Sequence, residues 1–519
     1  MKVVTVSEMR ALERRTFDSG VSEPDLMERA GAAIASAVAA YLPRTERRLV
    51  LVLAGKGNNG GDALIAARHL RDRHGMRLAI YLTSPRGDDP LLASLRDVDA
   101  VVHGSRSVQR LRALLADADL VLDGILGVGA RLPLTGAIAA ALEVCRAVRP
   151  PTQRRIAIDV PTGVDADTGS ADPLAFQADV TLATGPLKPG LLIHPGAAHA
   201  GRARALDIGL TDPDPGGAMR RLDDRTVASL LPDRPDDSHK GSYGKVLVVA
   251  GSDRYVGAAS LVAGAAIRGG AGLVTLACPP AVKAALAGAS PETTYLPLVD
   301  DPAAAGRLTA GHLGPLLDAA HGAGAIAIGP GLGDAPETRR LVILLLERLA
   351  TSGATVVLDA DGLNALAASA SDGWPEPTPG SWVLTPHPGE MARLAKLDPS
   401  EVQTDRLALA LRKAAEWGHV VVLKGAPAII ASPDGRARLG VFANAALAVG
   451  GTGDVLTGLT AALLAQRLDP FDAASAATHV HGAAGELWRA QHGAAGLPAS
   501  ALAELLPTAL RRVRDSYVA

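Results

Sequence analysis

Between residues 49 and 423 the chain keeps returning to one pattern: a short apolar run rich in β-formers, a polar or glycine-bearing turn, then a helical segment. In the first half the strand-like runs are 49–53, 77–82, 100–102, 120–122 and 156–158, separated by helical stretches near 62–73, 108–116 and 136–148. Strands that alternate with helices can pair only in parallel, because a parallel neighbour needs a long crossover connection. Such sheets are covered by helices on both faces and collect ligands at the carboxyl ends of their strands. A second series opens with a short helix at 223–231 and continues with strands at 245–249, 273–277, 325–328, 355–358, 382–384 and 420–423. Helices at 258–269, 473–488 and 501–513 accompany it. Asp212-Pro213-Asp214-Pro215-Gly216-Gly217 lies between the series and reads as a linker. A chain of 519 residues exceeds one core. Two α/β domains are expected, 1–212 and 223–519, joined by 213–222.

Composition removes several function classes. A formal charge of −2 supports neither a nucleic-acid nor an anionic-membrane partner, and 3% aromatic residues leave little for base stacking. Cys145 and Cys278 fit neither a disulfide framework nor zinc spacing, so reduced thiols in a cytosol are expected. No uncharged apolar run approaches the ~20 residues of a membrane span, and residues 1–15 lack a signal-peptide core. The expectation is a cytoplasmic, homo-oligomeric protein acting on small molecules.

Three strand ends of the first half carry chemistry. Gly55-Lys56-Gly57-Asn58-Asn59-Gly60-Gly61-Asp62 contains G-x-G-x-x-G, but no acidic residue ends the next strand, so it is not read as a dinucleotide fingerprint. It is a polar turn suited to a sugar, phosphate or amide. Asp123 and Asp159 each end an apolar strand, where a carboxylate needs hydrogen bonds or a cation. Either alone could simply cap a turn; together with the first turn they define one edge. Ser22-Glu23-Pro24-Asp25 reads as a helix start, with Asp25 closing a capping box on Ser22.

Asn58-Asn59-Gly60-Gly61-Asp62, Asp123-Gly124-Ile125-Leu126-Gly127 and Asp159-Val160-Pro161-Thr162-Gly163-Val164-Asp165 resemble the YjeF N-terminal family, epimerases of hydrated NADH and NADPH with a Rossmann-like three-layer fold. The resemblance implies ligand contacts from Asn58, Asn59, Gly60, Gly61, Asp62, Gly127, Val128, Gly129, Ala130, Arg131, Leu132, Pro133 and Asp159. It also implies a potassium ion on Asn59, Asp123 and Thr162, with Asp159 as acid/base at the hydroxyl-bearing ring carbon. Ala63 replaces the family's more frequent Gly, and Thr162 a common Ser, which keeps the hydroxyl oxygen.

In the second half, polar or glycine-rich stretches again follow strand after strand. Gly329-Pro330-Gly331-Leu332-Gly333, Asp359-Ala360-Asp361-Gly362-Leu363-Asn364, Thr385-Pro386-His387-Pro388-Gly389-Glu390 and Lys424-Gly425-Ala426-Pro427-Ala428 are the clearest. Val449-Gly450-Gly451-Thr452-Gly453-Asp454 then leads into an alanine-rich helical run. A helix N-terminus behind a glycine turn favours an anion, and Asp454 in its first turn can act as a base beside it. Singly, His387 could be a loop histidine, Asp359 and Asp361 helix caps, and Lys424 a surface charge. His479 and His481, two apart in a helix, are read as structural.

The joint order, with Lys240-Gly241-Ser242-Tyr243-Gly244 ahead of it, resembles the ribokinase-like fold and, within it, the ADP-dependent dehydratases of hydrated NADH and NADPH. The resemblance implies that Ala258, Gly331 or Gly333, His387 and Asp454 face the hydrated nicotinamide. Lys424, Gly425, Ala426, Pro427, Ala428 and Gly453 would hold ADP with Mg2+ on its phosphates. Thr452 stands for the usual Ser, and Asn444-Ala445 for a frequent Asn-Pro. Asp454 and Asp159 are the expected catalytic residues of a two-domain repair enzyme for hydrated NADH and NADPH. The rival reading is a kinase of a small hydroxymethyl compound with a non-catalytic first domain.

Overall fold

The computed structural model describes residues 1–42, 48–95, 98–103, 108–214, 216–299, 306–369 and 382–516. They form two compact units, Met1–Gly217 and Ala218–Ala519. Of the expected linker, Pro215 lies outside the described residues.

In the first unit β1 (Leu49–Ala54), β2 (Arg77–Leu82), β3 (Ala100–His103), β4 (Leu120–Gly124), β5 (Arg154–Ile158), β6 (Val180–Thr184) and β7 (Arg202–Leu206) form one sheet. Their order is β3-β2-β1-β4-β5-β6-β7, every pair parallel. Side chains of a strand alternate between faces, and β1 shows why three layers result. Val50, Val52 and Ala54 pack with the helices Glu23–Ala39 and Asn58–His74, while Leu49, Leu51 and Leu53 pack with Val108–Asp117 and Gly136–Ala147. The order in which strands are added reverses between β1 and β4, opening the crevice where ligands of such sheets bind. The helix start after β1 carries Asn58 and Asn59, and the carboxyl end of β4 carries Asp123.

The second unit contains β8 (Met219–Arg221), β9 (Lys245–Val249), β10 (Leu273–Cys278), β11 (Thr294–Pro297), β12 (Ala325–Ile328), β13 (Val356–Leu358), β14 (Trp382–Leu384), β15 (Val420–Leu423), β16 (Ile429–Ala431) and β17 (Ala437–Leu439). Their order is β11-β10-β9-β12-β13-β14-β15-β16-β17-β8. The switch point lies between β9 and β12. Only β16 breaks the parallel run, pairing antiparallel with both neighbours.

The structure departs from the sequence reading in several places. Residues 219–221, inside the expected linker 213–222, are a strand parallel to β17; an edge strand needs one row of hydrogen bonds and no apolar period. The helix after β1 begins at Asn58 rather than 62, with Gly57 as its N-cap. Ser22 does cap its helix through the Asp25 N–H, but the Asp25 carboxylate takes the Ser22 hydroxyl at 2.6 Å instead of closing a capping box.

The helix Thr452–Ala465 is buried along almost its whole length and crosses the helix Val256–Arg268 closely. Gly458 makes the crossing possible, since a Cβ there would lie 2.2 Å from the Val262 carbonyl oxygen. Gly458→Ala is expected to destabilise the protein by about 1–3 kcal/mol, the usual cost of overpacking. Thermal or denaturant unfolding checks this, and an unchanged midpoint would show that the crossing yields without cost.

Candidate active sites

In the first unit, Asp123 leaves β4 with its side chain fully buried. Its Oδ1 accepts from the Thr162 hydroxyl at 2.7 Å and the Ile125 N–H at 3.2 Å, and its Oδ2 from the Thr162 N–H at 2.8 Å. No ammonium or guanidinium reaches it among the described residues, and burial pushes its carboxyl up to about 6 against those hydrogen bonds. Asn59 Nδ2 donates to the Leu126 carbonyl at 2.9 Å, and Thr162 Oγ1 accepts from the Leu126 N–H at 3.0 Å. Asn59, Asp123 and Thr162 thus meet around one stretch of chain, which presents carboxylate, hydroxyl and carbonyl oxygens. Gly127 adjoins them: a Cβ there would lie 3.3 Å from the Asn59 amide carbon.

Asp159 follows β5 with φ of 62°. That left-handed conformation costs a non-glycine residue of order 1–2 kcal/mol. Its carboxylate pairs with Lys188, whose side chain is 0% exposed. Asp62 lies in the first turns of the helix Asn58–His74. Burial, then the Asp159 and Glu13 carboxylates, push its carboxyl up to about 8. Other expected contacts are less converged. Asn58 Nδ2 donates to Glu23 at 3.1 Å, which ties it to the neighbouring helix, and Leu132 is exposed. Gly60 is required by packing, because a Cβ would lie 2.1 Å from the Gly55 carbonyl oxygen.

In the second unit, Asp359, at the end of β13, is buried and organises the edge. Its Oδ1 accepts from Lys424 Nζ at 2.7 Å, and its Oδ2 from the Thr457 hydroxyl at 2.8 Å. Burial alone would depress Lys424; the Asp359 and Glu390 carboxylates outweigh it and raise the ammonium. Lys424 lies over Gly453, where a Cβ would sit 3.1 Å from Nζ. Asp454 stands in the first turn behind Gly451, the N-cap, whose φ is 91°. Burial, and next Asp359, push its carboxyl up to about 7 despite Lys424. Glu390 also reaches about 7, chiefly by burial.

His387 caps the helix Pro388–Ala395: its Nδ1 accepts from the Gly389 N–H at 3.0 Å and the Glu390 N–H at 3.3 Å. Burial, then Lys424, lower its pKa. With Nδ1 accepting, Nε2 is the ring nitrogen left to carry a proton, and it lies 3.3 Å from a Glu390 carboxylate oxygen. Ala258 sits in the first turn of Val256–Arg268, directly against Gly331, where a Cβ would meet the Ala258 Cβ at 2.8 Å. The Gly333 N–H donates to Asp361 at 2.8 Å.

Beside Lys424 and Gly453 opens a cavity of about 480 Å3, lined also by Gly425, Ala426 and Ala428, with Asn444, Thr478 and His481 on its far wall. Asn444 Oδ1 accepts the Ala446 N–H at 2.9 Å, which leaves Nδ2 buried and without a partner. The Thr478 hydroxyl is buried and unpartnered as well. His481 donates from Nε2 to the Thr452 carbonyl at 2.9 Å, and burial lowers it to about 4. The sequence reading did not single out Lys188, Thr184, Thr457 or Thr478. Lys188 had a readable signal, a lone lysine between apolar residues in Gly185-Pro186-Leu187-Lys188-Pro189-Gly190.

Known proteins match both units. The family described as NAD(P)H-hydrate dehydratase matches residues 246–508, and the family described as YjeF-related protein N-terminus matches 23–190. A bifunctional NAD(P)H-hydrate repair enzyme of Moorella thermoacetica is 37% identical, covering 99% of this chain and 98% of that one. A ribokinase-like superfamily protein of Enterococcus faecalis is 26% identical at a TM-score of 0.50, covering 58% of this chain and 99% of that one. An ADP/ATP-dependent NAD(P)H-hydrate dehydratase of Bacillus subtilis, co-crystallised with ATP and Mg2+, is 36% identical at a TM-score of 0.48; the match covers 57% of this chain and 98% of that one.

The raised Asp454 carboxyl has a thermodynamic signature. A folded value near 7 against an unfolded 3.8 means that ionising this group opposes folding. Its stability contribution is favourable at low pH and is lost as pH rises toward 7. Asp454→Asn is expected to raise Tm on the order of 2–4 °C at pH 8 and to leave it unchanged at pH 4. An equal shift at both pH values would contradict this.

Proposed function

We propose that this chain, which belongs to the bifunctional NAD(P)H-hydrate repair enzymes, does its work in two separate sites, one at the carboxyl edge of each sheet. The domains are taken as an epimerase over residues 1–212 and an ADP-dependent dehydratase over 223–519. Water added across a double bond of reduced nicotinamide leaves a hydroxyl-bearing ring carbon in either configuration. The first site interconverts the two epimers, and the second returns the S epimer to NADH or NADPH.

The observation that carries the dehydratase reading is the position of Asp454. It stands in the first turn of a helix with a glycine N-terminus, the end that favours an anion, beside Lys424 and next to a cavity of about 480 Å3. A carboxyl with a value near 7 exchanges a proton readily at neutral pH. Asp454 takes the proton of the ring hydroxyl, whose oxygen attacks the terminal phosphorus of ADP as the bond to AMP breaks. Phosphate then leaves the ring carbon with its bonding pair, and the adjacent carbon gives up a proton to restore the double bond. The Gly451–Gly453 turn and Lys424 meet the charge that develops on the transferring group.

The cavity fits an adenine nucleotide. Its buried Asn444 Nδ2 and Thr478 hydroxyl lack partners among the described residues, as polar atoms that await a ligand do. Lys424, Gly425, Ala426, Pro427, Ala428 and Gly453 form the phosphate side; Mg2+ bound with the nucleotide supplies neutralisation of its phosphate charge. Ala258, Gly331, Gly333 and His387 border the hydrated ring.

In the first unit the proposed acid/base is Asp159, with Asn58, Asn59, Gly60, Gly61, Asp62 and the Gly127–Pro133 loop around the substrate. Asn59, Asp123 and Thr162 fit potassium: Asp123 is a fully buried carboxylate with hydrogen bonds but no cation, and its neighbours are neutral oxygen donors. Bound there, potassium supplies the missing positive charge and ties the three turns together.

Absorbance in the reduced-nicotinamide band, with separated epimers, ADP, Mg2+ and potassium, tests the assignment. Asp454→Ala should lower dehydration by about 10²–10⁴-fold while epimerisation continues; loss of both would sink the division of labour. Asp159→Asn should do the reverse, leaving recovery from the S epimer alone. Exchanging potassium for tetramethylammonium should slow epimerisation only. A stable phosphorylated alcohol as product would instead identify a kinase.

A further inference from the structure

Asp159 is held by one of its two oxygens. Oδ1 accepts from the Lys188 ammonium, from the Thr184 hydroxyl at 3.1 Å and from the Thr184 N–H at 3.3 Å, while Oδ2 accepts no hydrogen bond among the described residues. Lys188 has no freedom to leave. The Val4 N–H donates to the Leu187 carbonyl at 2.9 Å just before it, and the Gly190 N–H to the Ala166 carbonyl at 2.7 Å just after. Its side chain is wholly buried, where an ammonium is expensive and an apolar residue of similar size would pack as well.

Carboxylates outnumber cations among the other charges around the pair. Asp62 faces it from the helix Asn58–His74 and Glu13 from the helix Val6–Asp18; Arg10 and Glu23 lie around Glu13. Both carboxyls are raised, Glu13 first by burial and Asp62 to about 8. Without a local cation, Asp159 would share their negative surroundings.

We propose that Lys188 is the positioning residue of the epimerase site: it fixes the carboxylate of Asp159 by Oδ1, with Thr184 as second anchor, so that Oδ2 alone meets the substrate hydroxyl. This rests on the reading of Asp159 as acid/base. The lysine itself touches no reacting atom. Its work is to set an ammonium against Asp159 Oδ1 and hold the side chain in one rotamer although the backbone at that residue is left-handed.

The test uses the full-length protein, with dehydration of the S epimer as a control on the same chain. Lys188→Met should lower the epimerase kcat by about 10²-fold with KM within about twofold, and move the acid limb of its pH–rate profile up by about one unit. Lys188→Arg should restore part of both. A folded Lys188→Met protein with an unmoved acid limb, or with a rise in KM alone, overturns the proposal. If Lys188→Met does not fold, Thr184→Val decides: kcat about tenfold lower at constant KM supports anchoring through Oδ1, and an unchanged kcat refutes it. Asp159→Asn separates the two claims. If it epimerises normally, Asp159 is not the acid/base; if it is inactive while the Lys188 variants behave as wild type, only the positioning role falls.

Discussion

A carboxylate at the end of a buried strand must be compensated, and both sites of this molecule are built from different answers to that one cost. Asp359 is answered by an ammonium and a hydroxyl, Lys424 and Thr457. Asp159 is answered by Lys188 and Thr184. Asp123 receives only hydrogen bonds, from Thr162 and Ile125, so its anion remains without a counter-charge. Asp454 and Asp62 are left largely uncompensated and hold their protons into the neutral range. Each unit thus combines a paired carboxylate with one that keeps its proton more tightly, the arrangement that separates structural charge from exchangeable proton.

The parallel sheet makes this possible by delivering every strand end to the same edge. β1, β4 and β5 bring Asn59, Asp123 and Asp159 to one side of the first unit; β13 and β15 bring Asp359 and Lys424 to one side of the second. Each side chain reaches the site from a buried, hydrogen-bonded strand, so its position is set by the core. The same topology leaves the opposite edge free of these groups.

Much of the fold was legible in the chain, and the gaps have physical reasons. Leu49–Ala54, residues 246–249 and Val420–Leu423 are continuous apolar runs bounded by polar residues, the mark of a central parallel strand. Met219–Arg221 and Arg202–Leu206 went unread because edge strands need not be apolar, and half their residues are arginine or other polar types. Asp123, Asp159 and Asp359 could be found because each closes or follows such a run, and Asp454 because a glycine turn leads into its helix. Lys188 could not be linked to Asp159, since 29 positions and an unrecognised strand separate them. Asn444 and Thr478 likewise share a cavity only after helix Pro470–His492 has folded back over it.

The burial of helix Thr452–Ala465 has one more consequence. Its first turn presents backbone N–H groups and Asp454 to the anion position, while the rest of the helix is locked into the core and crosses Val256–Arg268 at the backbone contact of Gly458. Under the proposed role of Asp454, the dipoles that would face a transferring phosphoryl group therefore cannot swing to follow it. Water would have to reorient as charge moved from one oxygen to another, whereas this helix is already aligned. The reorganisation energy of the step was met when the chain folded.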